Sequence, residues 1–435
     1  MKRFALERLT DWKNKENRKP LIINGARQVG KTWLMQEFGK KYFKETLYIN
    51  FERNTRIQQL FETDLDPERL LLGLEVELGH KIDPKNTLII FDEIQTTPQA
   101  ITSLKYFYEE LPQYHIIAAG SLLGVALHSG VSFPVGKIDE LNLYPLNFME
   151  FLDALGEKQL AKLIDDNNHD LLPVFKNKLI DYVKQYMFVG GMPEVVATFA
   201  KNKDFAQVRE LQNQILHGYA KDFSKHIPAN LLPKVESVFN AVPVQLAKEN
   251  KKFIYKQVTE KGRAKDFEGA ISWLKDCGLI YQIYRLKKPY LPIKGYIEQN
   301  IFKLFLLDVG LLSAMSRLDR RVLIEGDALF TEFKGAITEQ YVMQELTSIK
   351  NSEIAYWSNE GGTAEVDFVL QCESFIIPIE VKSGTNLKAK SLKIYIEKYL
   401  PKYAVRTSQA DYKQTDNLYD IPLYMIENLK TFCKQ

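Results

Sequence analysis

Cysteine is scarce in this sequence, with three residues among 435. Cys277, Cys372 and Cys433 lie far apart, are odd in number and include no C-x-x-C pair. Neither a disulfide framework nor a zinc site is therefore expected. This cysteine usage fits a reducing cytoplasm, which is where we predict that the protein resides.

Apolar segments of the kind that enter membranes are also missing. Residues 1–8 contain no apolar core of a signal peptide. The most apolar internal run, Ile301–Met315, is interrupted by Lys303 and Asp308 and is too short to span a bilayer. We interpret this run as a buried helix and expect no membrane partner.

The chain has neither a large charge imbalance nor a low-complexity tract. Its net charge is +3, which neither requires nor excludes a nucleic-acid partner, since local patches matter more than the total. Hydrophobic residues make up 45% and charged residues 26%, as in ordinary globular proteins. A length of 435 residues allows two to four domains.

A glycine-rich segment follows the apolar run Leu21–Asn24 and precedes a helix-forming run. It consists of Gly25, Ala26, Arg27, Gln28, Val29, Gly30, Lys31 and Thr32, with Trp33 next. This is the pattern G-x-x-x-x-G-K-[ST] between a strand and a helix, so we predict that residues 25–33 bind the phosphates of ATP or ADP. Lys31 is expected at the β and γ phosphates and Thr32 on Mg²⁺. The alternative is a chance glycine turn.

Two carboxylates follow a second apolar strand, residues 87–91. Asp92 has the position of a Walker B acid that holds the Mg²⁺ shell, and Glu93 that of a base that orients the attacking water. The pair could instead cap the next helix. A third strand, residues 115–119, is followed by Gly120 and Ser121, and Ser121 is either a sensor of the γ-phosphate or a helix cap.

The order of strands and helices predicts four domains. Residues 1–155 alternate between the two and indicate a parallel α/β sheet. Residues 156–230 indicate a helical lid or connector, with a turn at Val189–Pro193. Residues 231–315 indicate a winged helix and residues 316–435 a further α/β domain. The predicted strands of the first domain are Leu21–Asn24, Leu47–Phe51, Leu88–Phe91, Ile116–Ala119 and Lys137–Leu143, and its helices start near Thr32, Pro67 and Ala100.

The winged-helix prediction rests on two helices, Val235–Lys248 and Ala264–Cys277, followed by strands at Leu279–Leu286 and Gly295–Glu298. Such a module can bind DNA, or it can serve only for packing or protein contact. The basic residues that would contact DNA are Lys261, Arg263, Lys265, Arg285, Lys287 and Lys288.

Near the C-terminus, Asp367 is followed after a dozen residues by Glu380 and Lys382, and Glu339 lies upstream on a predicted helix. Because side chains alternate along a strand, Glu380 and Lys382 share a face, and hairpin pairing would bring Asp367 beside them. These groups can hold a divalent metal ion and position water for attack on a phosphodiester. The pattern looks like the PD-(D/E)-x-K nuclease fold, but charged edge strands are also common.

Six strings together resemble the prokaryotic AAA-type ATPases with a C-terminal domain of unknown function that has a nuclease-like core. They are Gly25–Thr32, Asp92–Gln95, Gly120–Gly124, Tyr144–Phe148, Gly190–Glu194 and Glu380–Gly384. The resemblance implies an AAA+ P-loop NTPase core, a winged helix and a restriction-endonuclease-like end. Family members usually carry an arginine before the Pro-Leu-x-Phe string, where this chain has Lys137, a candidate γ-phosphate sensor that lacks the planar fork of arginine.

The sequence thus predicts a cytoplasmic, Mg²⁺-dependent ATPase whose nucleotide state is coupled to the winged helix and the nuclease-like tail. One alternative is an ATP-gated, Mg²⁺-dependent nuclease. Another is a slow nucleotide switch with a tail that serves only for interaction. The oligomeric state and the partner are left open by the sequence.

Overall fold

The computed structural model describes residues 1–121, 133–248, 251–259, 262–322, 331–350 and 352–433. Two compact units divide the chain. The N-terminal unit comprises Lys2–Tyr144 with Asp276–Leu279, and the C-terminal unit comprises Met1, Pro145–Lys275 and Ile280–Gln435. The predicted segments 156–230 and 316–435 fall within this second unit, as does 231–315 apart from residues 276–279, and their separation into domains stays a prediction.

The N-terminal unit is built on a parallel sheet, as predicted. Its strands are β1 (Leu21–Asn24), β2 (Glu45–Asn50), β3 (Thr87–Asp92), β4 (His115–Ala119) and β5 (Asp139–Asn142). They are ordered β2-β3-β4-β1-β5, and every neighbouring pair is parallel. The helices are α1 (Ala5–Lys13), α2 (Lys31–Tyr42), α3 (Thr55–Thr63), α4 (Pro67–Leu78) and α5 (Pro98–Glu110). Of these, α1 and α3 were not predicted.

Local sequence explains these elements. Residues 88–91 of β3 are fully buried, and such uninterrupted apolar strands are typical of parallel sheets covered on both faces. Helix α4 starts with Pro67 in its first turn, after Asp66 has capped the N–H of Arg69 at 2.8 Å, and it ends at Gly79 in the left-handed conformation.

The C-terminal unit combines a helical region with a mixed sheet. Its helices are α6 (Phe148–Ala154), α7 (Lys158–Asp165), α8 (Lys176–Val189), α9 (Pro193–Asn202), α10 (Phe205–His226), α11 (Leu232–Leu246), α12 (Ala264–Asp276), α13 (Val309–Met315), α14 (Thr331–Thr347), α15 (Lys390–Tyr399) and α16 (Leu429–Phe432).

The strands of this unit are β6 (Ile280–Leu286), β7 (Ile297–Leu306), β8 (Ser352–Ser358), β9 (Glu365–Cys372), β10 (Phe375–Val381), β11 (Ala404–Ser408), β12 (Lys413–Thr415) and β13 (Leu418–Pro422). They form an eight-stranded sheet in the order β12-β13-β11-β10-β9-β8-β6-β7. An antiparallel meander, β8-β9-β10, is followed by helix α15 and then by β11, which is parallel to β10.

The prediction of a buried helix over Ile301–Met315 is wrong. Its first part, up to Leu306, is the end of β7, and the helix is confined to α13. A short apolar run does not distinguish a buried strand from a buried helix, and here the pairing with β6 decides. The helices and strands of the predicted winged helix follow in the expected order. However, β6 also pairs with β8, so the hairpin is part of the larger sheet.

Two of the strings that carried the family resemblance pack against each other inside the C-terminal unit. The N–H of Leu146 donates to the carbonyl of Gly191 at 2.7 Å. A Cβ at Gly191 would lie 2.0 Å from the Leu146 carbonyl oxygen, so only glycine fits there. The N–H of Gly191 donates to Asp308, a fully buried carboxyl, at 2.6 Å. We call these residues the Asp308 junction, and its contacts are structural.

The expectation that no disulfide forms is also wrong, because Cys372 at the end of β9 is bonded to Cys433 beyond α16. The two cysteines are 61 residues apart, and the pairing of distant residues is set by the fold. Since disulfides are rare in reducing compartments, the cytoplasmic assignment stays a prediction. Among the described residues, every helix is too short or too polar to traverse a bilayer.

Candidate nucleotide site and carboxylate cluster

The loop between β1 and α2 has the tight backbone that its sequence predicted. Gly25 has a φ of +149°, and a Cβ there would lie 2.3 Å from the Leu143 carbonyl oxygen. Gly30 has a φ of +91° and caps α2. Both positions therefore need glycine. Val29 is buried, whereas Trp33 is 39% exposed at the start of α2.

Lys31 lies inside this loop. Its Nζ donates to the carbonyl oxygens of Gly25 at 2.8 Å and Ala26 at 2.9 Å. Burial lowers the pKa of Lys31 to about 8, although the carboxylates of Glu93 and Asp92 raise it. Because both carboxylates favour the charged form, the ammonium is available to bind phosphate oxygens near neutral pH.

Asp92 contacts Thr32, the other residue that is predicted to hold Mg²⁺ at this site. The Thr32 hydroxyl donates to Asp92 Oδ2 at 2.7 Å, and the Tyr48 hydroxyl donates to the same oxygen at 2.7 Å. Asp92 is buried and lies at the carboxyl end of β3. A threonine hydroxyl and a carboxylate at this distance are an oxygen donor set that suits Mg²⁺ beside a nucleotide phosphate.

Glu93 is fixed by two polar neighbours. Ser121 donates to Glu93 Oε1 at 3.0 Å, and the side-chain amide of Gln95 donates to Oε2 at 2.7 Å. Glu93 has a φ of 51°, an uncommon backbone conformation for a residue other than glycine. Since β4 lies between β1 and β3, the strand order itself brings Ser121 to the carboxylates.

The structure does not bring Lys137 to the loop. Lys137 precedes β5, whose Asp139 pairs with Leu21 at the amino end of β1, whereas the loop follows the carboxyl end of β1. Its ammonium lies 2.9 Å from Glu109, and this hydrogen bond raises the pKa of Lys137. A γ-phosphate bound at this loop would therefore lie near the carboxyl ends of the strands, whereas Lys137 lies near their amino ends.

A second set of predicted residues meets in the C-terminal unit. Ile379 pairs with Phe368 in the antiparallel ladder of β9 and β10, so Glu380 and Asp367 are the next opposed positions. Opposed residues share a face of a sheet. Oδ2 of Asp367 accepts the N–H of Val381 at 2.8 Å. We call Asp367, Glu380 and Glu339 of α14 the carboxylate cluster.

In two of these three carboxylates, one oxygen is bound by a lysine. Lys382 donates to Glu380 Oε1 at 2.7 Å, and Lys251 forms an ion pair with Glu339 Oε1. Glu339 is 5% exposed and Glu380 is 6% exposed. The remaining oxygen of each, Oε2, is buried without a hydrogen-bond partner. Two buried carboxylate oxygens without partners lower the stability of the folded protein unless a cation or water binds them.

The charges of the cluster act on one another. Burial raises the pKa of Asp367 well above its usual value, and Glu339 and Glu380 raise it further. Burial also raises the pKa of Glu380, although Lys382 lowers it. Burial lowers the pKa of Lys303 of β7, yet the nearby carboxylates raise it above the ordinary value. Lys303 donates to Glu365 at 2.5 Å.

Within the described parts of the chain, no three acidic, histidine or cysteine side chains already form a ready metal-ligand set. Glu339 and Glu380 raise the pKa of Asp367, and Lys251 and Lys382 bind Glu339 and Glu380. The convergence of Glu339, Asp367, Glu380 and Lys382 on one metal ion stays a prediction.

The basic residues predicted for the winged helix are not all available. Arg285 forms an ion pair with Glu298, which raises the pKa of Arg285. Arg263 and Lys265 are exposed at the start of α12. Lys261 lies outside the described residues.

Several residues of both sites were not predicted. Tyr48 and Gln95 reach the nucleotide site through hydrogen bonds, and Arg3 donates to the carbonyl of Val29 at 3.1 Å. Lys251 and Lys303 join the carboxylate cluster from segments far away in sequence. Tyr48 could have been found from its place near the end of a strand that precedes the acidic one, but no pattern marks the two lysines.

Three family models match parts of the chain. Residues 17–152 match a family described as an AAA domain. Residues 180–322 and 334–426 match two domains of unknown function, DUF8612 and DUF4143. No functionally curated protein matches the sequence. The AAA match supports an ATP-binding, P-loop ATPase assignment for the first segment.

Solved structures of three proteins are similar to this chain at low sequence identity. The Walker-type ATPase of Pyrococcus abyssi is 18% identical, with 72% of this chain and 95% of that chain covered and a TM-score of 0.46. The Orc1 protein of Aeropyrum pernix, solved with DNA, is 13% identical, with 72% and 91% covered and a TM-score of 0.28. A signal transduction ATPase of Pyrococcus horikoshii with a tetratricopeptide repeat sensor is 13% identical, with 79% and 45% covered and a TM-score of 0.29.

Proposed function

We propose that the N-terminal unit binds ATP with Mg²⁺ and hydrolyses it. The observation that carries this proposal is the 2.7 Å contact between the hydroxyl of Thr32 and Asp92, directly after the glycine loop and next to Glu93. The match of residues 17–152 to an AAA domain supports it. The donor set of Thr32 and Asp92 fits Mg²⁺, which would neutralise charge on the phosphate oxygens when bound.

Each side chain then has a distinct task. The Lys31 ammonium binds phosphate oxygens and balances the charge that develops on them. Glu93 accepts a hydrogen bond from the attacking water and orients it. Ser121 and Gln95 are positioning residues, since they hold the two oxygens of Glu93 at 3.0 and 2.7 Å. A carboxylate held in this way loses little orientational freedom when water binds.

The phosphate contacts are tested by Lys31→Ala. We expect the loss of a buried, charge-assisted contact to weaken ATP affinity by about 100-fold or more. Calorimetric titration with ATP and Mg²⁺ measures this. Lys40→Ala on the exposed side of the same helix is the matched control and should bind like the wild type. Undiminished affinity in the Lys31 variant would contradict the assignment of the loop.

A second candidate function is a divalent-metal-dependent nuclease in the C-terminal unit. The observation that favours it is the pair of buried, unpartnered Oε2 atoms of Glu339 and Glu380 in one cluster with Asp367. The order of α14, the meander β8-β9-β10, α15 and β11 is consistent with the nuclease-like core that the resemblance implies. Carboxylate oxygens are the ligands that Mg²⁺ and Mn²⁺ prefer.

In this function Asp367, Glu380 and Glu339 would hold the metal ion, which supplies charge neutralisation at a phosphodiester. Lys382 would place its ammonium beside Glu380, where it can hold the attacking water or balance charge on the phosphate. The alternative is a nuclease-derived module that only binds.

Cleavage is tested with labelled DNA and RNA in Mg²⁺ or Mn²⁺. We expect Asp367→Asn to abolish cleavage while ATP turnover persists, because the two sites share no residue. Glu397→Gln, an exposed carboxylate of α15, is the matched control and should cleave like the wild type. No metal-dependent cleavage by the wild type on any substrate would remove this second function and leave the first untouched.

A further inference from the structure

The C-terminal unit has an open cleft of about 230 Å³ at the amino end of β10. The residues that matter for its chemistry are Tyr290, Leu291, Ile376, Tyr395, Tyr399 and Lys402. We call it the tyrosine cleft. Tyr290 is 50% exposed and Leu291 is 40% exposed, so the outer wall offers apolar and aromatic surface to solvent.

The tyrosine rings of the cleft pack against one another and against the core. Tyr395 and Tyr399 have ring centroids 5.0 Å apart, and both pack edge-on against the buried Trp357, at 5.2 and 5.8 Å. Tyr290 then meets Tyr399 at 6.3 Å and 87°. This continuous series of rings runs from the core to the surface, so the exposed ring is pre-ordered for stacking.

The surroundings of the cleft are basic. Residues 287–294 and 398–402, which supply Tyr290 and Tyr399, contain five lysines and no acidic residue. They are Lys287, Lys288, Lys294, Lys398 and Lys402, and all are exposed. Lys294 is engaged by Glu353 at 2.6 Å. Aromatic rings among lysines are the chemistry that binds unstacked bases and the phosphates between them.

We propose that the tyrosine cleft binds single-stranded nucleic acid by stacking a base on the exposed ring of Tyr290, with the phosphates on the neighbouring lysines. A proline-rich peptide would also bind to an aromatic cleft, but it does not need the lysines that surround this one. This binding does not depend on the proposed nuclease function.

Binding is measured by fluorescence anisotropy with a labelled 20-nucleotide thymidine strand and the full-length protein, in EDTA so that nothing is cleaved. We expect Tyr290→Ala to weaken binding about tenfold and Tyr290→Trp to retain it, since the ring face is what stacks. Tyr42→Ala, on an exposed tyrosine of α2, is the matched control and should have no effect.

The contribution of the lysines is tested by measuring the affinity for the strand at several salt concentrations. Lys288→Ala with Lys402→Ala should reduce the slope of log affinity against log salt by about 1.4, because each phosphate contact on a single strand contributes about 0.7. Unchanged affinity in both the Tyr290 and lysine variants would overturn the proposal. Displacement of the strand by a proline-rich peptide with equal affinity would overturn it in favour of a peptide groove.

The proposal that the cleft binds a single strand and the proposal that the carboxylate cluster cleaves it can be tested separately. Asp367→Asn should bind the strand as the wild type does, even though it is expected to lose cleavage. If the wild type binds the strand through Tyr290 but never cleaves it, the tyrosine cleft stands and the nuclease function does not.

Discussion

At the scale of single residues, Lys251 is the most informative side chain of the carboxylate cluster. Its ammonium forms an ion pair with Glu339 while being only 14% exposed. A lysine in this place provides the positive charge that a divalent ion would otherwise bring. Lysine and metal ion should therefore compete for Glu339.

Lys251→Met tests this competition. Removing one partner of a largely buried pair should lower the free energy of unfolding by roughly 3 kcal/mol in EDTA. Mn²⁺ should then stabilise the variant more than the wild type, because Glu339 has lost its cation. Thermal unfolding with EDTA and with Mn²⁺ measures both effects, and Lys256→Met on an exposed lysine is the control. Equal Mn²⁺ stabilisation of all three proteins would contradict the competition.

Residue types and spacing predicted Lys31, Thr32, Asp92 and Glu93, and their contacts follow from short segments at one edge of a parallel sheet. Lys137 was a candidate γ-phosphate sensor only through the family resemblance, which implies an arginine at that position. The register of β5 against β1 puts it at the other edge. Lys251 and Lys303 could not be predicted, because their contacts depend on the packing of distant segments.

At the scale of secondary-structure elements, the Asp308 junction joins the start of α13 to the turn between α8 and α9. Asp308 accepts hydrogen bonds from the N–H groups of Gly191 at 2.6 Å and Leu311 at 2.9 Å. Burial nevertheless raises the pKa of Asp308 to about 6. Burial also raises the pKa of Glu345 on α14 well above its usual value. These carboxyls therefore hold protons more tightly in the folded state than in the unfolded one.

This sign predicts that the contribution of Asp308 to stability falls as pH rises. Between about pH 4 and pH 6 folding takes up a proton at Asp308, so its contribution is complete below pH 4 and is lost through pH 6. The loss is on the order of 3 kcal/mol. Asp308→Asn should flatten the curve of unfolding free energy against pH, as measured by urea denaturation, whereas Asp181→Asn at an exposed site should not. A curve unchanged by Asp308→Asn would contradict this prediction.

Elements were predicted best where local signals are strong, as for the P-loop helix α2 and the capped helix α4. The prediction failed over residues 301–306, where an apolar run became the end of β7. Its partner β6 lies close in sequence, but the larger sheet that buries both is completed by β8, some fifty residues further on. Non-local pairing of this kind leaves no periodic signal in the strand itself.

At the scale of the whole molecule, the chain combines a nucleotide site in one unit with a carboxylate cluster and the tyrosine cleft in the other. Coupling between nucleotide state and the C-terminal unit stays a prediction. ATP turnover measured with and without the single strand that the cleft is proposed to bind would reveal such coupling as a change in rate.

The central claim is that Glu93 activates water at an ATP site built by Lys31, Thr32 and Asp92. Its most direct test is ATP turnover and ATP affinity of the wild type and of Glu93→Gln, measured side by side in Mg²⁺. We expect the variant to bind ATP within a few-fold of the wild type and to lose at least 100-fold in turnover, because the amide that replaces the Glu93 carboxylate cannot accept the proton of water. Equal turnover in the two proteins, or no turnover in the wild type, would contradict it.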